Sequence, residues 1–194
     1  MLQRSRHRPL DDRPAPVRAA RGEWFVEKIV AAGWRDDTGY TWAVRAPGGP
    51  GDSDLSDSPD SPDGGAGRVL AMVGIHVDRS ATRELSGEIG YWCAPDARGR
   101  GLMRDAARLV VDWALDPEGL GLARVTWQAE VGNWASRRVA WSLGLRVEGT
   151  IRKQLAVPGG TRADGWFGTI LAGDPREPVE VWPAEAATSG VLGR

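Results

Sequence analysis

Cysteine, histidine and long apolar runs are all scarce in this 194-residue sequence. The single cysteine, Cys93, cannot form an internal disulfide and fits the reducing cytoplasm. No apolar run approaches the roughly 18 residues that a membrane-spanning helix needs. Residues 1–23 are basic but lack the apolar segment of a secretory signal. We therefore expect a soluble cytoplasmic protein with no membrane partner.

Neither sign of charge is in excess. Lysine and arginine number 25 against 26 aspartate and glutamate residues, which gives a net charge of −1. Without a global basic field, nucleic acid is not an expected partner. The two histidines, His7 and His76, form no metal-ligand pattern with other residues, so we expect no metal. Cys93 has no histidine near it in the sequence, which argues against a cysteine nucleophile.

Composition along the chain predicts one domain with flexible additions. Residues 1–20 mix arginine and proline with few apolar residues and are expected to form a flexible arm. Residues 47–67 are acidic and rich in Gly, Pro, Ser and Asp, which predicts a disordered loop. The loop interrupts a single domain over residues 21–173, and residues 174–194 are expected to be a C-terminal tail.

Hydrophobic periodicity predicts an α/β order of elements in the domain. The expected elements are a helix at 23–32, strands at 40–44, 68–77 and 87–93, a helix with a stripe of Leu102, Ala106, Leu109, Val110 and Trp113, a strand at 125–131, a helix carrying Ala135, Val139 and Leu143, and strands at 147–157 and 162–172. Asn133 can cap the second of the long helices, and Gly144 is placed to end it in a left-handed conformation. The last two strands flank a PGG turn and should form a hairpin.

The N-terminus of one predicted helix is rich in arginine and glycine. The stretch PDARGRGLM, residues 95–103, places Gly99 and Gly101 among Arg98, Arg100 and Arg104 at the start of a helix. Unpaired backbone N–H groups and the helix dipole can hold an anion there. A third glycine of the dinucleotide fingerprint is missing at Arg104, and the Lys-Ser/Thr of a P-loop is absent. An ordinary helix N-terminus with solvated arginines is the competing interpretation.

Two segments of the sequence, taken together and in this order, point to a particular protein family. GEIGYWCAPDARGRGLM and ARVTWQAEVGNWASRRVAWSLGLRVEGTIR together resemble the GNAT superfamily of N-acetyltransferases, and are most similar to the branch that contains the ribosomal-protein N-terminal acetyltransferases. The second block carries that branch's pattern as Asn133, Ser136, Val139, Leu143-Gly144-Leu145 and Glu148-Gly149. The resemblance covers residues 68–172. It implies an α/β fold with a mixed, mostly antiparallel central sheet, flanking helices and a splayed acetyl-CoA cleft.

The resemblance also implies a reaction and a donor site. The expected reaction transfers an acetyl group from acetyl-CoA, a co-substrate, to a primary amine by direct attack in a ternary complex. The acceptor is a protein N-terminal α-amine or a small-molecule amine. The residues expected to bind acetyl-CoA are Trp92, Cys93, Ala94, Arg98, Gly99, Arg100, Gly101, Leu102, Met103, Asn133 and Ser136.

Two catalytic residues are expected. Glu88, beside the Ile89–Cys93 segment, is the candidate general base, because many family members place a carboxylate on that strand; Glu130 is a second choice. The alternative is an exposed glutamate paired with an arginine. Ser136 matches the serine that this branch places near the thioester sulfur as general acid, or it is a helix-capping serine. The tyrosine that other members use is absent from the block 133–145.

Two classes of function remain open from the sequence. The first is the amine acetyltransferase, and the second is a non-catalytic acetyl-CoA-binding regulatory domain. Release of free CoA with a panel of amines distinguishes the two. The sequence does not identify the acceptor, because fold analogy gives a class of chemistry and not a substrate. For assembly, we consider a homodimer.

Overall fold

A computed structural model describes residues 22–45, 68–80 and 83–188 of the chain. The arm predicted at 1–20 and the loop predicted at 47–67 lie outside the described residues. In chain order the elements are a π-helical segment (Phe25–Val30), α1 (Ala31–Arg35), β1 (Gly39–Arg45), β2 (Val69–Asp78), β3 (Ser86–Cys93), a 3₁₀ turn (Pro95–Ala97), α2 (Leu102–Leu115), β4 (Arg124–Glu130), α3 (Trp134–Ser142), β5 (Arg146–Val157), β6 (Thr161–Leu171) and α4 (Glu185–Thr188).

The strands form one six-stranded sheet in the order β1-β2-β3-β4-β6-β5. Four of the five pairings are antiparallel, and β3 with β4 is the parallel exception. Parallel neighbours need a long crossover, and the segment containing α2 provides it. The expected mixed α/β sheet with flanking helices is confirmed. The predicted helix at 23–32 is also present, but it is π-helical over Phe25–Val30.

The hydrophobic core lies between the sheet and α2. The helix buries Met103, Ala107, Val110, Val111 and Ala114 against the inner strands. Of the predicted stripe, Val110 is buried and Ala106 and Trp113 pack against the core, whereas the prediction was wrong at Leu109, which is 73% exposed. The helix has apolar residues on two adjacent faces, and the face that packs carries two alanines with no exposed area. Such small side chains allow the helix to lie close to the sheet.

The two faces of the sheet differ. We define the inner face as the one on which α2 and α3 pack; it carries Ile89, Tyr91 and Trp127. Because side chains alternate along a strand, Glu88, Gly90 and Trp92 of β3 lie on the opposite, outer face. All three are exposed in the described part of the chain.

The C-terminal segment, defined as residues 174–186, runs back over the helices of the inner face. Arg108 donates to the carbonyls of Arg176 and Ser142, at 2.5 and 2.9 Å. Trp141 Nε1 donates to the Glu180 carbonyl at 2.8 Å, and the Trp182 ring contacts the Trp141 ring at a centroid distance of 5.3 Å. The segment therefore stabilises the position of α3.

Gly144 lies just after α3 and packs against the backbone of the C-terminal segment. Its φ of 92° is left-handed, and the Leu145 N–H donates to Ala140 O while the Gly144 N–H donates to Trp141 O. These are the two bonds of a Schellman cap, so the predicted helix end is confirmed. A Cβ at Gly144 would lie 2.3 Å from the Pro175 carbonyl oxygen.

Gly144→Ala is expected to lower the free energy of unfolding by about 3 kcal/mol, because it adds a strained φ to a backbone clash. Urea denaturation measures the change. Gly149→Ala is the matched control, since a Cβ at Gly149 meets nothing within 4 Å. Equal effects of the two substitutions would contradict the assignment of strain to Gly144.

Candidate active site

The parallel strands β3 and β4 separate partway along the sheet. They pair from Ser86 opposite Arg124 to Ile89 opposite Trp127, and no later pair joins them among the described residues. Beyond this point β3 stays paired with β2, and β4 stays paired with β6. The result is a wedge-shaped gap between the two strands, which confirms the expected splayed cleft.

The β3 edge of the gap presents backbone hydrogen-bonding groups. Ala94 N–H donates to Leu70 O on the β2 side at 2.8 Å. Because backbone groups of alternate residues point to opposite neighbours, Tyr91 and Cys93 direct their N–H and C=O groups to the gap. The Cys93 carbonyl accepts from Arg98 Nε at 3.3 Å. Of the expected residues Trp92, Cys93 and Ala94, Cys93 is therefore the one whose backbone groups face the gap.

The loop at the end of β3 has the geometry of an anion cradle. Gly99 and Gly101 have φ values of 75° and 78°, and Gly101 is the N-cap of α2. The first backbone hydrogen bond of the helix runs from Asp105 N to Gly101 O. The N–H groups before Asp105 in the first turn therefore have no carbonyl acceptor within the helix. Met103 contributes only its backbone there, because its side chain is buried in the core.

The arginines of the loop are not equivalent. Arg104 forms an ion pair with Asp105 at 2.8 Å, which offsets its charge. Arg98 bonds to the β3 backbone as described above, and Arg68, a residue that the sequence analysis did not select, pairs with Asp96. Arg100 is exposed at the loop. The charge available to an anion therefore comes mainly from Arg98 and Arg100.

Ser136 sits in a closed hydrogen-bond network on the inner face. Its hydroxyl accepts from Trp127 Nε1 at 3.0 Å and donates to Tyr91 Oη at 3.2 Å. Tyr91 Oη donates in turn to the Ser136 carbonyl at 2.9 Å. Asn133 Oδ1 accepts from Ser136 N at 3.1 Å, so the predicted cap is confirmed. Burial raises the pKa of Tyr91 far above its usual value, which keeps the phenol protonated.

Tyr91 is the residue that sequence reasoning missed. The block 133–145 holds no tyrosine, and the phenol beside Ser136 comes from β3. Strand alternation was the signal that could have found it: Tyr91 is two residues after the buried Ile89 and must share its inner face.

Glu88 lies within β3 and on the outer face, so it and Ser136 stand on opposite faces of the sheet. The Glu88 carboxylate accepts from Gln128 Nε2 at 2.7 Å, and in the described residues its partner is this amide and not an arginine. Glu88 borders an open depression of about 730 Å³ that His76, Asp78 and Arg124 also line. Glu130 is exposed near the end of β4 on the same face.

Residues 22–45, 68–80 and 83–188 contain no group of three or more His, Cys, Asp or Glu residues arranged to hold a metal ion. None of their helices combines the length and the apolar character that crossing a membrane requires.

Comparison with known proteins gives consistent matches. A family model described as an acetyltransferase (GNAT) domain matches residues 5–146. YdaF of Bacillus subtilis (strain 168), which carries the provisional name of a ribosomal N-acetyltransferase, is 37% identical over 93 residues, 48% of this chain and 49% of YdaF. The match thus spans about half the length of that relative.

Solved structures match in fold. RimJ of Mycobacterium smegmatis, in complex with CoA-disulfide, gives a TM-score of 0.62 at 23% identity, with 85% of this chain and 68% of that chain covered. The ribosomal-protein-S5-alanine acetyltransferase of Vibrio fischeri gives 0.58 at 19% identity, with 82% and 72% covered.

Tyr91→Phe is expected to lower the free energy of unfolding by about 1–2 kcal/mol near pH 8, through loss of the bonds with Ser136. The loss should shrink at alkaline pH. Above the usual tyrosine pKa of 10.0, the unfolded wild-type chain releases the Tyr91 proton while the folded chain retains it. Wild-type stability therefore falls as pH rises. The Tyr91→Phe variant has no phenol at this position and does not lose stability in this way. Urea denaturation at pH 8 and pH 11 measures the difference; a gap that stays constant would contradict it.

Proposed function

Because the chain belongs to the GNAT acetyltransferase family, we propose that it transfers an acetyl group from acetyl-CoA to a primary amine. The observation that carries the proposal is the gap between β3 and β4. An amide-rich loop lies at the end of β3, a serine hydroxyl lies on one face of the sheet, and a carboxylate lies on the other. The acceptor is a protein N-terminal α-amine or a small-molecule amine, and the name of YdaF favours the former. The site of action is the cytoplasm.

The donor site is proposed from the loop and the β3 edge. The N–H groups of Gly99, Arg100, Gly101, Leu102 and Met103 would hold the pyrophosphate, because left-handed glycines and a helix N-terminus bring several donors together. The guanidinium groups of Arg98 and Arg100 add charge. The backbone along Trp92–Ala94, chiefly that of Cys93, would pair with the pantetheine amides. Asn133 fixes the start of α3 beside them.

The proposed reaction requires two proton transfers involving the protein and no covalent intermediate. Acetyl-CoA supplies an activated thioester, so no covalent enzyme nucleophile is needed. An α-amine has a reference pKa of about 7.7–8.0, so a carboxylate suffices to take its proton. Glu88 accepts that proton as the amine nitrogen bonds to the acetyl carbon. Ser136 gives a proton to the sulfur as the carbon–sulfur bond breaks. The proton held by Glu88 then returns to Ser136 through solvent, which restores both groups.

A coupled assay of CoA release tests the function. The panel contains a peptide with a free N-terminal amine, the same peptide N-acetylated, a polyamine and a small aromatic amine. We expect release with at least one free amine and none with the blocked peptide. Binding of acetyl-CoA without release for any amine would instead support the regulatory domain.

Gly101→Val is expected to weaken acetyl-CoA binding by at least about tenfold, because a branched side chain at positive φ distorts the loop and removes charge-assisted bonds. Isothermal titration calorimetry measures the Kd. Gly121→Val is the matched control, since Gly121 has a φ of 61° in a loop away from the gap. An unchanged Kd for Gly101→Val would remove the loop from the donor site.

Ser136→Ala is expected to lower kcat by about 10²–10⁴-fold with little change in acetyl-CoA affinity, as loss of a general acid does. Ser142→Ala is the control, because it removes a hydroxyl from the same helix that donates to the Val139 carbonyl and lies outside the Ser136 network. Steady-state kinetics and melting curves on both variants separate the roles. Near wild-type kcat for Ser136→Ala, with a lower melting temperature, would show that this serine is structural.

A further inference from the structure

A chain of hydrogen bonds leads from Glu88 to a distant strand. Gln128 Nε2 on β4 donates to Glu88 Oε2 at 2.7 Å, and Gln154 Nε2 on β5 donates to Gln128 Oε1 at 2.9 Å. The direction is fixed chemically, because an ionised carboxylate only accepts hydrogen bonds. Gln128 must turn its NH₂ group to Glu88 and its oxygen to Gln154, and Gln154 must then donate.

The second bond crosses an intervening strand, since β6 lies between β4 and β5. Gly165 of β6 is paired with Glu130 on one side and Ile151 on the other. A Cβ at Gly165 would lie 3.3 Å from Gln154 Cβ and 3.2 Å from Leu155 Cγ. The bare backbone at Gly165 therefore leaves the space in which Gln154 lies over β6.

An irregularity in β5 aims Gln154 across the sheet. The register of β5 with β6 shifts between Ile151 and Leu155, and Lys153 has a φ of 54°. The Lys153 N–H donates to Asp164 Oδ1 at 2.9 Å, and Arg162 NH2 donates to the Gln154 carbonyl at 2.6 Å. A non-glycine residue at positive φ persists only where its surroundings hold it, and an irregularity of this kind re-aims a side chain.

We propose that Gln128 and Gln154 are positioning residues that hold the Glu88 carboxylate for proton transfer, an inference that rests on the proposed transferase function. An exposed glutamate has free rotamers, and the bond from Gln128 fixes Oε2 while leaving Oε1 for the amine proton. Gln154 donates its hydrogen bond to the side-chain oxygen of Gln128. It thereby prevents the amide from turning that oxygen to Glu88, where it would repel the carboxylate.

Kinetics of three Gln154 and Gln128 variants test the catalytic part. Gln154→Leu is expected to lower kcat about tenfold and Gln128→Leu up to about 10²-fold, with the KM for acetyl-CoA unchanged, as misplacement of a reacting group does. Gln154→Lys keeps a donor and should recover most of the kcat. Arg152→Leu, an exposed change on the same strand, is the control. Wild-type kcat in Gln154→Leu, or equal losses in the Leu and Lys variants, would overturn the proposal.

Side-chain amide NMR tests the hydrogen-bond chain without any turnover. The sequence holds three glutamines, so the amide signals can be assigned by substitution. Glu88→Ala and Gln154→Leu should each shift the Gln128 signals, and Arg152→Leu should not. Unmoved Gln128 signals in Glu88→Ala would overturn the chain itself. If the wild type acetylates no amine while these shifts are seen, the transferase function and the catalytic role fail and the chain of bonds stands.

Discussion

The short parallel pairing of β3 with β4 is the constraint on which the site depends. The strands pair over four residue positions and then each keeps only its antiparallel neighbour among the described residues. Backbone groups along the gap lose their ladder partners, and buried groups of this kind need others. The proposed reaction depends on the same separation, because Ser136 and Glu88 lie on opposite faces of the sheet.

The two sides of the gap differ in how many contacts hold their side chains and in how exposed those side chains are. On the inner side, Ser136 is held by side chains from β3 and β4, and Arg137 lies 4.6 Å from the centroid of the Trp166 ring. Burial lowers the pKa of Arg137. On the outer side, Glu88 is exposed and accepts a hydrogen bond from the Gln128 amide. A fixed inner side suits a constant donor, and an open outer side suits selection of the acceptor.

Local signals were predictable from the sequence, and contacts between distant segments were not. The Asn133 cap and the Gly144 cap each depend on a few neighbouring residues, and both are confirmed. The predicted stripe of α2 was wrong at Leu109, because packing against the sheet decides which of the apolar side chains are buried. Tyr91 meets Ser136 across 45 positions of sequence. Gln154 reaches Gln128 only because β5 is irregular and Gly165 is bare, and no periodicity shows either condition.

The inner network also bears on how proton transfer depends on pH. Ser136 has one hydroxyl hydrogen, and in the structure that hydrogen is directed to Tyr91. In the proposed reaction, Ser136 releases it to sulfur when Tyr91 turns its own O–H from the Ser136 carbonyl to the Ser136 hydroxyl, a change between two atoms that it already contacts. Because burial raises the pKa of Tyr91, this donor stays protonated at every pH at which an α-amine becomes neutral. In the proposed reaction, turnover is then expected to depend on pH through the amine, which must lose its proton before it attacks.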